Sequence, residues 1–370
     1  LSRGLGDVYK RQFNNYVLLA DAFLHGRIPI NWPGPASDAL PWHGQHIVIE
    51  APLPAILLLP AVAIWGEHTN QTLLAVLLGG GTAGVAWALW RRLNVHFPAR
   101  IALTAFLFAG TDVLFCSEIG SVWYLAHVSA VFFTMLALLE AFGKKRGWLV
   151  ALWAFCALES RFSLVLALPA YVVLLAVDDE GQLQWLAALG HVRAFVATLA
   201  ACAIPWVAYN EARWGVPYDI GYQAWYNVDT AGSPTGSPFS LRFFPMEWHA
   251  FFESAPVFSA KFPWVDPTMF GIGLQWTSPA LVLAFLARRP VIIVLAFWAA
   301  ALATAAPSFV YYAPGYAQFG MRHALDFEPF LVVLMALGVR RRMPLWGYAL
   351  CAYSALVGIW GCWYWNVYYS

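Results

Sequence analysis

EAPLPAILLLPAVAIWG, residues 50–66, decides how the chain is threaded. It opens on a carboxylate and carries three prolines, and it is otherwise as apolar as a membrane span. It is nevertheless shorter than the roughly 20 residues a transmembrane helix needs. Pro52 and Pro54 suit a first helical turn, where no intrahelical N–H bond is lost, and Pro60 would kink the remainder of the helix. Two readings are open: a short kinked span, or an interfacial or re-entrant helix that presents Glu50 at the edge of a bilayer.

The rest of the composition sets the class. Of 370 residues, 61% are hydrophobic and 11% charged, with 20 Trp, 16 Tyr and 26 Phe, against about 25% charged in soluble domains. The expectation is an all-α polytopic membrane protein. A net charge of +1 with no basic tail gives no reason to expect a nucleic-acid partner. Cys116, Cys156, Cys202, Cys351 and Cys362 fall in or beside apolar runs without metal-like spacing and read as small buried hydrophobes. The first twelve residues, LSRGLGDVYKRQ, do not match the character of the chain from residue 13 onward and are expected to be a non-native artefact.

Apolar runs predict about ten transmembrane helices, near 71–90, 101–117, 121–142, 147–160, 163–177, 194–209, 276–287, 290–306, 327–339 and 344–365. The main domain is 13–340, and 341–370 carries the C-terminal transmembrane helix. If residues 13–70 lie outside, Arg91, Arg92, Arg100, Lys144, Lys145, Arg146, Arg193, Arg288, Arg289, Arg340, Arg341 and Arg342 all fall inside. That leaves six basic residues outside against these twelve, the sense of the positive-inside rule. A full span at 50–66 would invert every later segment, so the charge pattern favours the interfacial helix. The external loops are then 13–70, 210–275 and 307–326. The second holds the turn-rich GSPTGSP (232–238) and LRFFPMEWHAFFES (241–254), whose mix of aromatic and charged residues suits a helix lying in the interface plane.

Candidate chemistry lies in those loops. Glu50, Asp21 and Glu118 are acids that could accept a proton from an acceptor or hold a divalent metal ion, or serve as ordinary loop acids. Arg161, in ALESRFSLVLALP, sits between two apolar runs, where a charge needs a cavity or a partner. It either binds an anionic phosphate or pairs with Glu159. Arg322 and His323 invite the same question, with Asp326 and Glu328 as structural partners. His127 is either a buried hydrogen-bonded histidine or faces the same cavity as Arg161. His43 and His46 have a weak HxxH spacing and lack the further ligands of a zinc site. No P-loop or Rossmann glycine motif is present, and Gly79, Gly80 and Gly81 lie in a span, where they read as a close helix contact.

NNYVLLADAFLHGRIPI, then IEAPLPAILLLPAVAIWG and LLGGGTAGVAWALWRRL, resemble the first external loop and next span of GT-C membrane glycosyltransferases. The nearest likeness is to bacterial relatives of the dolichyl-phosphate-mannose protein mannosyltransferases and lipid A aminoarabinose transferases. LESRFSLVLALP, YNEARWGVPYDIGYQ and GYAQFGMRHALDFEPFLVVL resemble later segments of such enzymes, so the likeness covers most of 13–340. It implies an enzyme of the cytoplasmic (inner) membrane with its active site facing outside. Its donor would be a polyprenyl-phosphate-linked sugar, its acceptor a lipid, glycan or protein, with membrane lipids around it. No cofactor is implied beyond a possible divalent metal ion.

The resemblance also implies displacement at the anomeric carbon by an acceptor that a carboxylate deprotonates, with Arg161, Arg322 and Lys261, and the nearby His127 and His323, facing the donor phosphate. Trp32 and Trp42 would stack on a sugar, or anchor the loop at the interface. The family's usual acid, near the start of the first loop, is replaced by Asn14 and Asn15, so the base is expected upstream of residue 13 or at Glu50 or Glu118. Two rival readings stand beside it: a transporter or flippase for lipid-linked sugars, which would pair ionisable residues within spans, and a non-catalytic membrane subunit.

Overall fold

The computed structural model describes residues 14–32, 39–178 and 180–369; the stretch expected to be an artefact lies outside them. The chain is mostly helical, with two small antiparallel hairpins, Leu40–Trp42 with Gln45–Ile47 and Val257–Phe258 with Val265–Asp266. Among the described residues, five helices are long and apolar enough to cross a membrane: Gln71–Arg92, Val122–Ala141, Trp185–Trp214, Val291–Phe309 and Leu345–Tyr368. Phe97–Ala109 and Val113–Ile119, bent by 44° at their junction, make a sixth if they count as one span. By length and composition these helices are consistent with a multi-pass membrane protein.

The other apolar runs fold as shorter pieces. Gly147–Leu158 and Glu328–Val339 have 12 residues each, about 18 Å of helix against a hydrocarbon core of roughly 30 Å. Run 163–177 opens as a 3-10 turn, Phe162–Ala167, before the helix Leu168–Ala176, and 276–287 is largely the 3-10 segment Pro279–Leu286. Pro169, Pro279 and Pro329 each stand in a first turn, so these segments restart where the missing N–H costs nothing.

Val122–Ala141 is the hub. Most of its side chains are buried, and Gln71–Arg92 and Gly147–Leu158 flank it. Trp185–Trp214 is the opposite case: Leu186, Val196 and Ile204 are 92%, 55% and 71% exposed, an apolar surface that suits hydrocarbon and not water. Small residues let the helices approach. A Cβ on Gly81 would meet Phe132 at 2.8 Å, and one on Gly79 would overlap Ser117, as the close-contact reading of these glycines expects, whereas Gly80 faces open space. A Cβ on Gly358 would run into the carbonyl oxygen of Ala109. Gly358→Ala is expected to destabilise the fold by about 1–3 kcal/mol. Gly80→Ala should raise stability by up to about 1 kcal/mol through helix propensity. Thermal midpoints of the two variants in one detergent check both signs.

The loops gather at two ends. At one, Arg92 donates to the carbonyl of Phe142 (3.0 Å), His96 N–H to that of Arg340 (3.1 Å) and Lys145 to that of Val177, while Gly181 packs on Pro290. This is the basic end, where the arginine and lysine clusters converge. At the other, Gln71 donates to the carbonyl of Gly120 (2.7 Å), Tyr124 to that of Ala317 and Ser278 to that of Gly110 (2.7 Å).

The decisive stretch forms the helix Leu53–Trp65, with Pro52 as its N-cap, Pro54 in its first turn and Pro60 inside. At 13 residues it rises about 20 Å, too little to cross alone. Leu53, Ala55, Leu58 and Val62 pack inward while Ile64 and Trp65 are exposed. The segment 241–254 makes a short helix, Phe244–Trp248, and a π-turn, His249–Glu253. Glu247 points inward while Phe244, Trp248 and Phe252 are exposed, the reverse of a helix solvated by water and the arrangement an interfacial helix would need.

Candidate functional site

At the loop end, between the start of the Val122–Ala141 helix and the 3-10 turn Arg322–Asp326, lies a buried group of charges. Arg161 is the last extended residue before its own 3-10 turn. Its guanidinium forks onto Asp326, Nε to Oδ1 at 3.1 Å and Nη2 to Oδ2 at 2.9 Å. Nη2 also meets Nδ1 of His323 at 3.2 Å, and Nη1 donates to the Tyr222 hydroxyl at 3.2 Å. Ser163 donates to Asp326 Oδ2 at 2.7 Å, and His127 Nδ1 lies 3.3 Å from Oδ1. Burial would push the Asp326 carboxyl up, but Arg161 and His127 together hold it below the usual carboxylate range. Burial, and then Arg322 and Arg161, keep His323 neutral, well below the usual histidine range. Tyr311 stands edge-on to Tyr222 at 5.8 Å and near the His323 ring at 6.4 Å.

Glu50 borders this group. Its backbone carbonyl and that of Val48 accept from Arg213 Nη1 at 3.1 and 3.3 Å. Arg213 is itself fixed by Asp219 at 2.8 Å and lies over the rings of Tyr209 and Trp214. Leu53 N–H donates to the carbonyl of Glu159 (3.2 Å), so the segment entering the Leu53–Trp65 helix is tied on two sides. The Glu50 side chain is 5% exposed, and its Oε2 has no hydrogen-bond partner. Burial pushes its carboxyl up to about 7, against a hydrogen bond from its own backbone N–H and the pull of Arg213 and Arg161. The Tyr16 hydroxyl, fully buried and likewise without a hydrogen-bond partner, lies within electrostatic reach of Glu50, Tyr222 and Arg161.

The structure therefore brings together Glu50, Arg161, His127 and His323. It corrects one pairing: Arg161 takes Asp326, not Glu159, because the extended backbone at 161 turns the side chain toward the Arg322–Asp326 turn. Arg322 points elsewhere, donating to Gln318 Oε1 (2.7 Å) and the carbonyl of Tyr316 (3.1 Å) beside the rings of Trp123 and Tyr124. Glu118 is exposed and accepts from Asn366 of the C-terminal helix. Asp21 lies 3.5 Å from Arg27 and 3.6 Å from His25. Lys261 is exposed in its loop.

Trp42 is committed to packing, edge-on to Trp214 at 5.5 Å. The HxxH stretch is a hairpin: His43 and Gly44, at φ 50° and 77°, form the two-residue turn between Trp42 and Gln45. Among the described residues, no group of three or more His, Cys, Asp or Glu side chains is gathered as a metal site. The residues that sequence reasoning undervalued are Asp326, Tyr222, Tyr16 and Arg213. Of these, only Asp326 was singled out in the sequence, as a structural partner of Arg322 and His323; Arg213, Tyr222 and Tyr16 lay in segments read as wholes.

No family model matches the chain, and neither a curated protein nor a solved structure shows significant similarity to it.

Proposed function

We propose that this protein is a membrane glycosyltransferase of the GT-C kind, which moves a sugar from a polyprenyl-phosphate donor to an acceptor outside the cytoplasmic membrane. The observation that carries the reading is Glu50: a buried carboxylate with one unpartnered oxygen, its proton affinity raised toward neutrality, beside a buried guanidinium. A general base needs a pKa near the working pH and a free lone pair, and a departing phosphate needs a cation. In the proposed step the acceptor hydroxyl gives its proton to Glu50 Oε2 and its oxygen bonds to the anomeric carbon. The carbon–oxygen bond to the polyprenyl phosphate breaks, and the phosphate leaves with the electron pair.

Arg161 faces that charge. Four of its five N–H groups are taken by Asp326, His323 and Tyr222, which leaves one on Nη1 for the phosphate. His127 orients Asp326 from behind. In the same proposal the short helices complete a ten-crossing path. The contacts of successive loops alternate between the basic end and the loop end, as such a path requires. Asp21, Glu118, Arg322 and Lys261, which stand apart from this group, would serve as structural or loop residues.

The test is the protein reconstituted in liposomes with radiolabelled polyprenyl-phosphate sugars and a membrane extract as acceptor source. Label is expected to move from the lipid carrier to a new product, and a parallel arm with EDTA reads any divalent-ion requirement. Carrier that stays fully charged with every sugar supplied would remove the reading. The buried Arg161–Asp326–His127 group also favours a second reading, transport, because buried paired ionisable residues beside apolar helices can line an ion or substrate path. Movement of labelled lipid-linked sugar between leaflets without chemical transfer would select it.

A further inference from the structure

A cleft of about 930 Å³ is lined by Arg27, Asn31, Trp32, Gln45, His46 and Glu67 together with Ala212. Ala212 adjoins Arg213, whose guanidinium holds the carbonyl of Glu50, so the cleft and the candidate base share one support. Its floor is backbone: Ile30 N–H donates to the carbonyl of His46 at 2.9 Å, adding a third segment to the hairpin Leu40–Trp42 and Gln45–Ile47. Along that strand Gln45 is exposed, His46 is half-buried and Ile47 is buried in the small core around Trp214.

The lining is unlike the lipid-facing surface elsewhere. Two amides, a guanidinium, an imidazole and a carboxylate offer donors and acceptors in nearly equal number. Arg27 is steered across the opening by Asn31 Oδ1 at 3.2 Å. The indole N–H of Trp32 is buried and has no hydrogen-bond partner. A buried donor left unmade costs free energy that a ligand acceptor would recover. The volume lies in the upper part of the range for small-ligand sites.

We propose that this cleft binds the saccharide portion of the acceptor, a short neutral oligosaccharide whose hydroxyls bridge the Arg27, Asn31, Gln45 and Glu67 groups and accept from Trp32. Sugar hydroxyls act as donor and acceptor at once and match such a mixed lining. An acyl chain would strand these polar groups, and an anion would meet Glu67. The assignment of the saccharide to the acceptor rests on the transferase reading, but binding itself does not.

Saturation-transfer NMR on the full-length protein in lipid nanodiscs tests it, with maltose, mannobiose, lactose and chitobiose as probes. At least one is expected to receive saturation from the protein. Trp32→Phe, which keeps the ring and removes the N–H, should weaken that sugar about tenfold. Gln45→Ala, at an exposed strand position, should weaken it too, which covers the case of a misfolded Trp32 variant. A wild-type protein that binds sugar yet transfers none would sink the transferase reading alone. No saturation of any probe, saturation unchanged in both variants, or displacement of the sugar by a short neutral peptide would overturn the saccharide assignment.

Discussion

Asp326→Ala is expected to cost about 3–5 kcal/mol, the range for removing one partner of a buried ion pair. The carboxylate is fully buried and receives both forks of Arg161 and the Ser163 hydroxyl. Its loss leaves a guanidinium at 15% exposure with no counter-charge in contact. Measured as the thermal midpoint in detergent, the variant should lose most of a margin that is about 5–15 kcal/mol in ordinary domains. The damage should be relieved in the Arg161→Gln, Asp326→Asn double variant, because two neutral amides can bond where one unpaired charge cannot.

The same pair sets the acid limb of stability. Asp326 is held below its ordinary pKa, so its contribution is fully present above that ordinary value and is lost as pH falls through the folded one. That acid limb should be shallower in the neutral double variant. A single Asp326→Ala variant within 1 kcal/mol of the wild type would show that the pair contributes little.

That pair also marks where sequence reasoning stopped. Apolar runs and basic clusters were legible because each is a local property: the run 121–142 became the hub helix, and the arginines of 91–92 and 340–342 converged on one end. The shortness of 50–66 was legible for the same reason, since length and proline position fix what a helix can reach. The lengths of 147–160 and 163–177 were not, because hydropathy does not report where a 3-10 turn interrupts a run. Arg161 was visible as an unusual charge, but its partner lies 165 positions away along the chain. No spacing rule reaches that far. Glu159, two residues off, was the natural local guess, and the direction of an extended backbone overruled it. Glu50 was visible as the acid before two prolines; what sets it apart from other buried acids with an unpartnered oxygen, its place between Arg213 and Arg161, depends on residues from two other segments.

Glu50→Gln is expected to lower transfer by about 10²–10⁴-fold, the usual contribution of a positioned general base. Binding of the lipid donor should change little, because the amide has nearly the same shape and Arg161 is untouched. Glu118→Gln, at an exposed position paired with Asn366, is the matching control and should leave the rate unchanged. In the wild type the rate should climb as pH rises through about 7, where the Glu50 carboxyl gives up its proton, and then level off. A variant that keeps more than a tenth of the wild-type rate would remove Glu50 from the mechanism.

Stability supplies an independent reading of the same residue. Burial raises the folded pKa of Glu50 above its ordinary value, so the folded state holds the proton more tightly than the unfolded chain does. Its contribution is therefore complete below the ordinary carboxylate range and is lost as pH rises toward the folded value. Glutamine stays neutral throughout, so the variant should be at least as stable as the wild type above neutral pH while being far slower. A structural acid would behave in the opposite way: its removal would weaken the fold together with whatever activity depends on it. A more stable and inactive Glu50→Gln protein is the outcome that separates the two, because it is the stability–activity trade-off of a functional group.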